Sequence, residues 1–448
     1  MRRSCLLFTF LCISLVSQAQ VSRSPFLNPG FEKRISEYID TLEVIDTHEH
    51  FFNTELLKAS GFMDFSLLLQ QNSFDGFLSA GMAPGMLSKL YLEPTPVPEK
   101  WKITEPYWNK SFNTISNRIL LYSIRELYGV SDLNAQTVVP LSEKIRKAYS
   151  GDWFGYVLRD RCRIRYAIVD GDNVGEKYDF IKYTKRFSPW LTLNSKYRID
   201  SIAVMQVDPI YTLEDYVKSM KSVFENALKS GMVAVKINAA YKRSLYFEKV
   251  STESARKVFR TLINGNEDFI LPYKEAKPLQ DYMMFQLLEL ARQNNVPVAI
   301  HTGIQAGINN ILANSDPTLL TNIFYEFADV KFVLFHGSYP FGGELTTLVR
   351  NYPNVYIDMN WTYAISASYA ERYLNEWIEA VPVSKIMAFG GDQRCAENTF
   401  GNLAVARKII SDLLTGKVRS GYFTEQEALQ VARMILLDNP ESFYNLKK

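Results

Sequence analysis

Eight short runs rich in Val, Ile or Phe recur along the chain, without the alternation of a half-exposed strand. Such runs are typical of parallel strands that are buried on both faces. They are Val44–His48, Ile164–Asp170, Ile202–Asp208, Met232–Asn238, Val296–His301, Lys331–His336, Asn354–Met359 and Lys385–Gly391. Amphipathic stretches such as Leu213–Lys229 and Leu279–Gln293 separate most of them. Eight strand–helix units in one chain predict an α/β fold, a (β/α)8 TIM barrel.

A doubly wound open sheet is the alternative, but no GxGxxG motif follows an early strand. The first connection, residues 51–161, is far too long for a simple βα loop and contains apolar helical patterns. Loops after barrel strands build the active-site face. We therefore expect a helical insertion that forms a lid or pocket wall; a peripheral cap that only packs is the alternative. The tail, Asn402–Lys448, predicts C-terminal helices.

The N-terminus has the pattern of an export signal. Two arginines precede the apolar run Leu6–Val16, and the small-residue segment Ser17–Ala19 follows it. The run is too short to span a bilayer, which needs about 20 residues. A buried N-terminal helix is the alternative. We expect residues 1–19 to be a cleaved signal peptide, residues 20–448 to form one domain, and the protein to be periplasmic or secreted.

The charge of the mature chain limits its partners. The sequence has 50 basic and 48 acidic residues, and the two arginines of the leader leave 48 of each sign. A balanced chain has no overall field for nucleic acid or an anionic membrane. The expected partner is a small-molecule substrate, with no nucleic acid and no stable membrane association; a homo-oligomer stays open. Cys162 and Cys395 should lie at opposite ends of the barrel as free thiols, too far apart to pair.

Only four histidines occur in the sequence, and each lies where a predicted strand ends. His48 and His50 are two residues apart, so on a strand their rings point to the same face. His301 and His336 end the fifth and sixth strands. Histidine is the commonest metal ligand. The pattern predicts one shared metal site, although a pair of surface histidines would also explain the first two.

Two charged residues lie at the same end of the predicted barrel. Asp392 follows the eighth strand, where a carboxylate can bind metal, accept a proton from metal-bound water, or cap a helix. Lys236 lies on the fourth strand and faces the interior, where an unpaired lysine is costly. It could be carbamylated to bridge two metals, hold a substrate carboxylate, or form a structural ion pair.

Substrate contacts are expected just beyond the strands. Tyr241 and Arg243 follow the fourth strand, and Arg394 follows the eighth. Arginine binds carboxylates through two parallel hydrogen bonds. We therefore expect Arg243 and Arg394, with Tyr241, to hold an acidic substrate; a surface salt bridge is the alternative for each arginine.

Taken together, these residues resemble the amidohydrolase superfamily. The matching positions are His48 and His50 on strand one, Lys236 on four, His301 on five, His336 on six and Asp392 on eight. The resemblance covers the chain from Leu42 to Tyr444. The segments Phe389–Asp392 and Asn439–Tyr444 resemble the amidohydrolase-2 branch. That branch is similar to sugar-acid lactonases, carboxylic-acid decarboxylases and, more distantly, uronate isomerases.

The resemblance also implies roles for these residues. It implies His48, His50 and His301 as ligands of a divalent metal. Asp392 would bind the metal or act as a base beside it, and His336 would orient or polarise the reacting group. In two-metal members Lys236 would be carbamylated, and His301 with His336 would hold the second ion. We expect one metal, most readily Zn²⁺, although imidazole and carboxylate ligands also suit manganese, iron or nickel.

Such a site suits hydrolysis. Three imidazoles and a carboxylate leave a coordination position for water, whose pKa zinc lowers to about 7, and Asp392 can take up the proton. The leading hypothesis is an exported, metal-dependent hydrolase that cleaves an amide, lactone or ester bond of a small polar or acidic substrate. The alternatives are a sugar-acid isomerase or non-oxidative decarboxylase on the same site, and a metal-bearing binding protein without catalysis.

Overall fold

The computed structural model describes residues 29–446, except residue 61 and the segments 172–177 and 206–208. The expected signal peptide, residues 1–19, lies outside the described residues, and the division into domains stays a prediction. No helix in the described part of the chain is long and apolar enough to cross a membrane.

Eight parallel strands form one sheet in which they follow their order in the sequence. They are β1 (Val44–Glu49), β2 (Ile164–Asp170), β3 (Ile181–Arg186), β4 (Met232–Ile237), β5 (Val298–Ile300), β6 (Phe332–Leu334), β7 (Val355–Asp358) and β8 (Ile386–Met387). The segment after β8 returns to β1, where Thr47 N donates to Phe389 O at 3.2 Å and Asp392 N donates to His48 O at 2.7 Å. These bonds close the ring, so the prediction of a TIM barrel is confirmed.

The strands are short because only their central residues must be buried on both faces. In β4 and β5, Val235 pairs with Val298 and Ile237 with Ile300, and all four side chains are fully buried. Burial of such apolar side chains on both faces stabilises a parallel sheet. The predicted runs therefore mark seven of the eight strands correctly.

The predicted third strand, Ile202–Asp208, is wrong. Ile202 lies in a helix, and residues 206–208 lie outside the described residues. The true β3, Ile181–Arg186, contains three charged residues, and only one of its six side chains is fully buried. Lys182 Nζ lies 5.0 Å from the centre of the ring of Tyr166 in β2. Long side chains that cover apolar surface with a charged end weaken the pattern of a buried strand.

The α-helices pack outside the barrel, in the insertion and in the C-terminal tail. The first helix is α1 (Phe31–Thr41), and the insertion contains α2 (Thr54–Ser60), α3 (Ser66–Leu69), α4 (Asn72–Ser79), α5 (Ser88–Tyr91), α6 (Val97–Ser111), α7 (Ile115–Tyr128), α8 (Val138–Ala148) and α9 (Trp153–Gly155). The barrel helices are α10 (Ser188–Leu191), α11 (Lys196–Met205), α12 (Leu213–Lys229), α13 (Thr252–Ile263), α14 (Tyr273–Gln293), α15 (Thr321–Glu326), α16 (Gly342–Asn351), α17 (Thr362–Ile365) and α18 (Ala367–Ala380). The tail forms α19 (Ala396–Arg419), α20 (Glu425–Arg433) and α21 (Asn439–Phe443).

The insertion has its own hydrophobic cluster, which includes Phe65 and Trp101 and extends to Cys395 beyond β8. A buried carboxylate joins it to α19. Glu397 accepts hydrogen bonds from Tyr128 Oη at 2.6 Å, and from Tyr149 Oη and Trp153 Nε1 at 3.0 Å each. Because these three donors satisfy a buried charge, they hold the insertion against the carboxyl end of the barrel. Cys162 and Cys395 are both buried free thiols, as the sequence predicted.

Candidate active site

Three candidate metal ligands meet at the carboxyl end of the barrel. His48 lies in β1, His50 just after it, and Asp392 follows β8. One ligand atom from each lies within 4.8 Å of the other two. Asp392 Oδ1 lies 3.4 Å from His50 Nε2 and 3.9 Å from His48 Nε2. The two-residue spacing and the closure of the barrel between β8 and β1 produce this convergence.

The protonation state of the imidazoles fits a metal. Burial, with the nearby charge of Lys236, lowers the pKa of His48 well below its ordinary value, and burial also lowers the pKa of His50. Neutral imidazoles offer a lone pair. His48 Nδ1 is buried and has no hydrogen-bond partner in the described part of the chain. Two imidazoles and one carboxylate therefore fit a divalent ion such as Zn²⁺ and leave coordination positions for water or substrate.

The loop that carries Asp392 is held by two buried acids of β1. Gly391 N donates to Asp46 Oδ1 at 2.9 Å, and Gln393 N donates to Glu49 Oε2 at 2.6 Å. Asp392 itself has a φ of 51°, in the left-handed region. At Gly391 a Cβ would come within 2.0 Å of Glu49 Oε1, so no other residue fits there. Asp46 and Glu49 thus fix the backbone on both sides of Asp392.

These two buried acids interact with each other, and the pKa of each is raised. Burial raises the pKa of Asp46 to about 6. Burial, and then the charge of Asp46, raises the pKa of Glu49 well above its ordinary value. Glu49 also accepts from Thr399 Oγ1 at 2.7 Å. The side chain between the two histidines therefore supports the site from behind, a role that the sequence did not reveal.

His301 and His336 form a second histidine pair beside the first. His301 Nε2 donates to Ile304 O at 2.7 Å, because a carbonyl can only accept. Its Nδ1 then accepts from His336 Nε2 at 2.9 Å. The structure therefore does not place His301 among the three converging ligands, since both of its ring nitrogens already have partners. His336 Nδ1 lies 3.7 Å from Asp392 Oδ2, on the side of the carboxylate away from His48 and His50.

Both members of the second pair are neutral. Burial, with the charge of Lys236, lowers the pKa of His301 to about 3. Burial, then the charges of His301 and Lys236, lowers the pKa of His336 well below its ordinary value. Two hydrogen bonds thus join His336, His301 and the carbonyl of Ile304, whereas the 3.7 Å between His336 Nδ1 and Asp392 Oδ2 is too long for a third.

Lys236 faces the interior, as the sequence predicted. Its Nζ lies 3.7 Å from the centre of the Phe335 ring and has no hydrogen-bond partner among residues 29–446 as far as these are described. Burial lowers the pKa of Lys236 to about 8, although Asp170 and Asp392 oppose the shift. Among the described residues, Lys236 does not form the structural ion pair considered as an alternative. Lys236 is a donor that is available to a ligand.

A cavity of about 860 Å³ opens above these residues. Its floor is made by the strand ends, including His48, His301 and Asp392, while Phe62, Phe74 and Tyr91 of the insertion line its side. The insertion also touches the metal ligands directly, because Gln71 Nε2 donates to Asp392 Oδ1 at 3.2 Å. Residues 51–161 therefore contribute part of the cavity surface.

Sequence analysis missed an ion pair that lines the cavity. Asp170 ends β2 and Arg186 ends β3, and their side chains form this pair. Burial alone would raise the pKa of Asp170, but the charges of Lys236, His50 and Arg186 outweigh it and lower the pKa. Asp170 was recognisable as the last residue of a predicted strand. Arg186 was hidden because β3 itself was misplaced.

The predicted substrate contacts divide into two groups. Tyr241 and Arg394 line the cavity. Arg243 does not: it is 2% exposed and donates to Asp281 Oδ1 at 2.7 Å and to Gln280 Oε1 at 3.1 Å. The prediction that Arg243 binds substrate is corrected, because the turn after β4 directs its side chain toward α14, where it forms a buried ion pair.

Part of the chain matches a known protein family. Residues 270–446 match the family model described as amidohydrolase. The resemblance to the amidohydrolases is confirmed. The matched segment contains β5 to β8 and thus His301, His336 and Asp392 of the site. The family match also supports the prediction of a metal-dependent enzyme.

Curated relatives are more distant. Protein fluG of Emericella nidulans is 26% identical over 245 residues, which cover 52% of this chain and 28% of that protein. The uronate isomerase of Thermotoga neapolitana is 21% identical over 249 residues, which cover 52% of this chain and 54% of the isomerase. The chain thus matches about half or less of the length of these relatives.

Solved structures share the fold over nearly the whole chain. The uronate isomerase of Thermotoga maritima has a TM-score of 0.77 at 15% identity and covers 93% of this chain and 98% of its own. The glucuronate isomerase of Caulobacter crescentus has a TM-score of 0.76 at 15% identity, with coverage of 96% and 97%. A Lactobacillus casei protein to which metal-dependent hydrolase activity is ascribed has a TM-score of 0.63 at 18% identity, with coverage of 92% and 98%. At these identities the likeness concerns the fold.

Proposed function

We propose that this protein is a metal-dependent hydrolase that cleaves a C–N or C–O bond of a small acidic substrate. The observation that carries the proposal is the convergence of His48, His50 and Asp392 on the floor of a cavity of about 860 Å³. Amide, lactone and ester bonds are all within reach of such a site.

The metal would be held by the neutral rings of His48 and His50 and by Asp392. A bound divalent ion, most readily Zn²⁺, supplies a nucleophile at neutral pH and polarises a carbonyl oxygen. The two carboxylate oxygens of Asp392 have different neighbours. Oδ1 lies near His48 and His50, and Oδ2 lies 3.7 Å from His336 Nδ1. Asp392 Oδ2 is therefore placed to take up the proton of the attacking water and return it to the leaving group.

The charges around the cavity favour an acidic substrate. Arg186, Lys236 and Arg394 line it. Arg186 forms an ion pair with Asp170, whereas Lys236 Nζ has no hydrogen-bond partner among the described residues. We infer that Lys236 and Arg394 bind a substrate carboxylate, since an ionic hydrogen bond gains strength where water is excluded. The aromatic residues of the insertion exclude that water.

Isomerisation of a sugar acid is the second candidate. Two of the curated relatives and several solved structures of the same fold are uronate or glucuronate isomerases. The polar lining contributed by Asn238, Tyr241 and Asp170 also suits a substrate with several hydroxyl groups. In this reaction Asp392 would move a proton between neighbouring carbons, and no water would be incorporated. Non-oxidative decarboxylation on the same residues is distinguished by release of CO₂.

Isotope labelling of the metal-loaded protein separates these reactions. Lactones, N-acyl compounds, dipeptides and uronates are offered in H₂¹⁸O and, separately, in D₂O. Hydrolysis places ¹⁸O in the product acid, whereas isomerisation leaves the mass unchanged in H₂¹⁸O and can introduce deuterium at carbon. We expect ¹⁸O incorporation and a loss of turnover of about 100-fold or more in Asp392→Asn.

Two outcomes would overturn the proposal. A protein that retains no metal after purification contradicts the site itself. A protein that holds metal but turns over no compound of the panel supports a binding protein instead. Circular dichroism of Asp392→Asn serves as the control for folding.

A further inference from the structure

A second cavity of about 340 Å³ adjoins the first on the side of β3 and β4. Arg186, Asn238 and Tyr241 line both cavities. The rest of its lining comes from the segment 188–202, which includes parts of α10 and α11, and from Lys242. We call this cavity the annex. These shared side chains therefore stand at the boundary between the two cavities.

The annex differs from the main cavity in charge. In the main cavity the acids Asp75, Asp170 and Asp392 face the cations Arg186, Lys236 and Arg394. The annex is lined by Arg186, Arg198 and Lys242, with no acid among the described residues of its lining. No carboxylate of the described lining therefore neutralises its two distal cations, Arg198 and Lys242.

The contacts of these cations support this conclusion. Arg198 Nη1 donates to Thr192 O at 2.8 Å, an uncharged partner that fixes the guanidinium in place. Lys242 is exposed, and no acid of the described chain lies within ion-pair distance of it. At the boundary with the main cavity, Arg186 Nε is buried without a hydrogen-bond partner among the described residues. A fixed arginine beside a lysine is suited to a carboxylate.

The body of the annex is apolar. Pro189, the buried Ile202 and the ring of Tyr241 form much of its surface. A ligand group that fits this arrangement has a short hydrocarbon body and a charged end, since apolar contact and ionic hydrogen bonds are then both satisfied. Water or an inorganic anion would leave the apolar surface uncovered.

We propose that the annex binds a second carboxylate of the substrate, carried on a short apolar arm. This inference rests on the proposed function for the position of the reacting bond at His48, His50 and Asp392. The substrate class is then an amide, lactone or ester with a terminal carboxylate several carbon atoms from the bond that is cleaved. Arg198 and Lys242 act as specificity-determining residues for that carboxylate.

Straight-chain dicarboxylates measure the distance between the two proposed carboxylate sites. One is formed by Lys236 and Arg394, and the other is the annex. Succinate, glutarate, adipate and pimelate are titrated calorimetrically into the metal-loaded protein, beside monocarboxylates of the same length. We expect one length to bind best, and more tightly than its monocarboxylate. In Lys242→Glu the affinity for that dicarboxylate should fall by about tenfold or more, the value of one ionic hydrogen bond. Arg198→Gln should act in the same direction.

Lys229→Glu is the matched control. Lys229 is an exposed lysine at the end of α12, just before β4, whereas Lys242 follows β4 at its other end. The same charge reversal there should leave dicarboxylate binding unchanged. If Lys229→Glu and Lys242→Glu lowered the affinity for the dicarboxylate equally, the effect would come from the overall charge of the protein, and the proposal would be overturned. The absence of any preference for length would also overturn it.

The binding assay separates this inference from the proposed function. If dicarboxylates bind through Lys242 but no compound of the activity panel is turned over, the annex is supported and the hydrolase is contradicted. If substrates ending in carboxylate and in carboxamide are hydrolysed at equal rates, with no effect of Lys242→Glu on either, the hydrolase is supported and the annex is contradicted.

Discussion

The two histidine pairs at the carboxyl end of the barrel look alike in sequence and differ in structure. His48 and His50 converge on Asp392, with their Nε2 atoms 3.9 and 3.4 Å from its Oδ1. His301 and His336 bond to each other at 2.9 Å, and His301 is also bound to a backbone carbonyl. A histidine at the end of a barrel strand is thus placed at the site, but the atoms around its ring decide whether it can bind a metal.

The largest expected effect is a loss of metal affinity, and it should follow a substitution in the first histidine pair but not one in the second. His50→Ala should lower metal affinity by more than about 100-fold, beyond the 10–100-fold typical of outer hydrogen-bond partners. His301→Gln should retain the metal, because its ring nitrogens are occupied by His336 and Ile304. Metal content after dialysis, measured by plasma mass spectrometry, checks both. Loss of metal from His301→Gln would erase the difference between the pairs and restore His301 as a ligand.

A smaller effect is expected from the support behind the first pair. Glu49→Gln should weaken metal binding by about 10–100-fold, because glutamine replaces one of the two oxygens that accept from Gln393 N and Thr399 Oγ1 with an NH₂ group that only donates. Competition with a chelator gives the affinity. Thr399→Val removes one of these hydrogen bonds and keeps the carboxylate, so it should cost less. If the metal affinity of Glu49→Gln equalled that of the wild type, Asp392 would be positioned without the help of Glu49.

The smallest effect concerns the insertion, which faces the histidines across the cavity. Burial raises the pKa of Asp75 to about 6. The folded state therefore binds a proton more readily than the unfolded state, and the charged form destabilises the fold above about pH 6. Asp75→Asn should raise the free energy of unfolding by about 1–2 kcal/mol at pH 8. This increase in the free energy of unfolding should become smaller as the pH falls through 6 and should vanish near pH 4.

Urea unfolding of wild type and Asp75→Asn at pH 4, 6 and 8 measures this trend. A constant difference at all three values would mean that Asp75 has the same pKa in the folded and unfolded chain. Asp200→Asn, at an exposed acid of α11, serves as the control for the loss of one carboxylate from the surface.

Most of the barrel was predictable from the sequence because burial on both faces leaves a local signal. Seven apolar runs mark seven strands, and the amphipathic stretch Leu213–Lys229 coincides with α12. The remaining strand, β3 (Ile181–Arg186), was missed because three of its residues are charged and most of its side chains are only partly buried. A strand of this kind is defined by its neighbours, and a single sequence does not contain that information.

The sequence by itself determined which residues stand at the strand ends. His48, His50 and Asp392 followed from strand periodicity and from the position of the eighth run. Only the tertiary structure decided what each side chain meets: His301 bonded to His336, Arg243 turned toward Asp281, and Asp170 joined to Arg186. The reason is one of scale. Periodicity fixes the face of a strand, whereas ring orientation and ion pairing depend on ångström-scale contacts between segments distant in the chain.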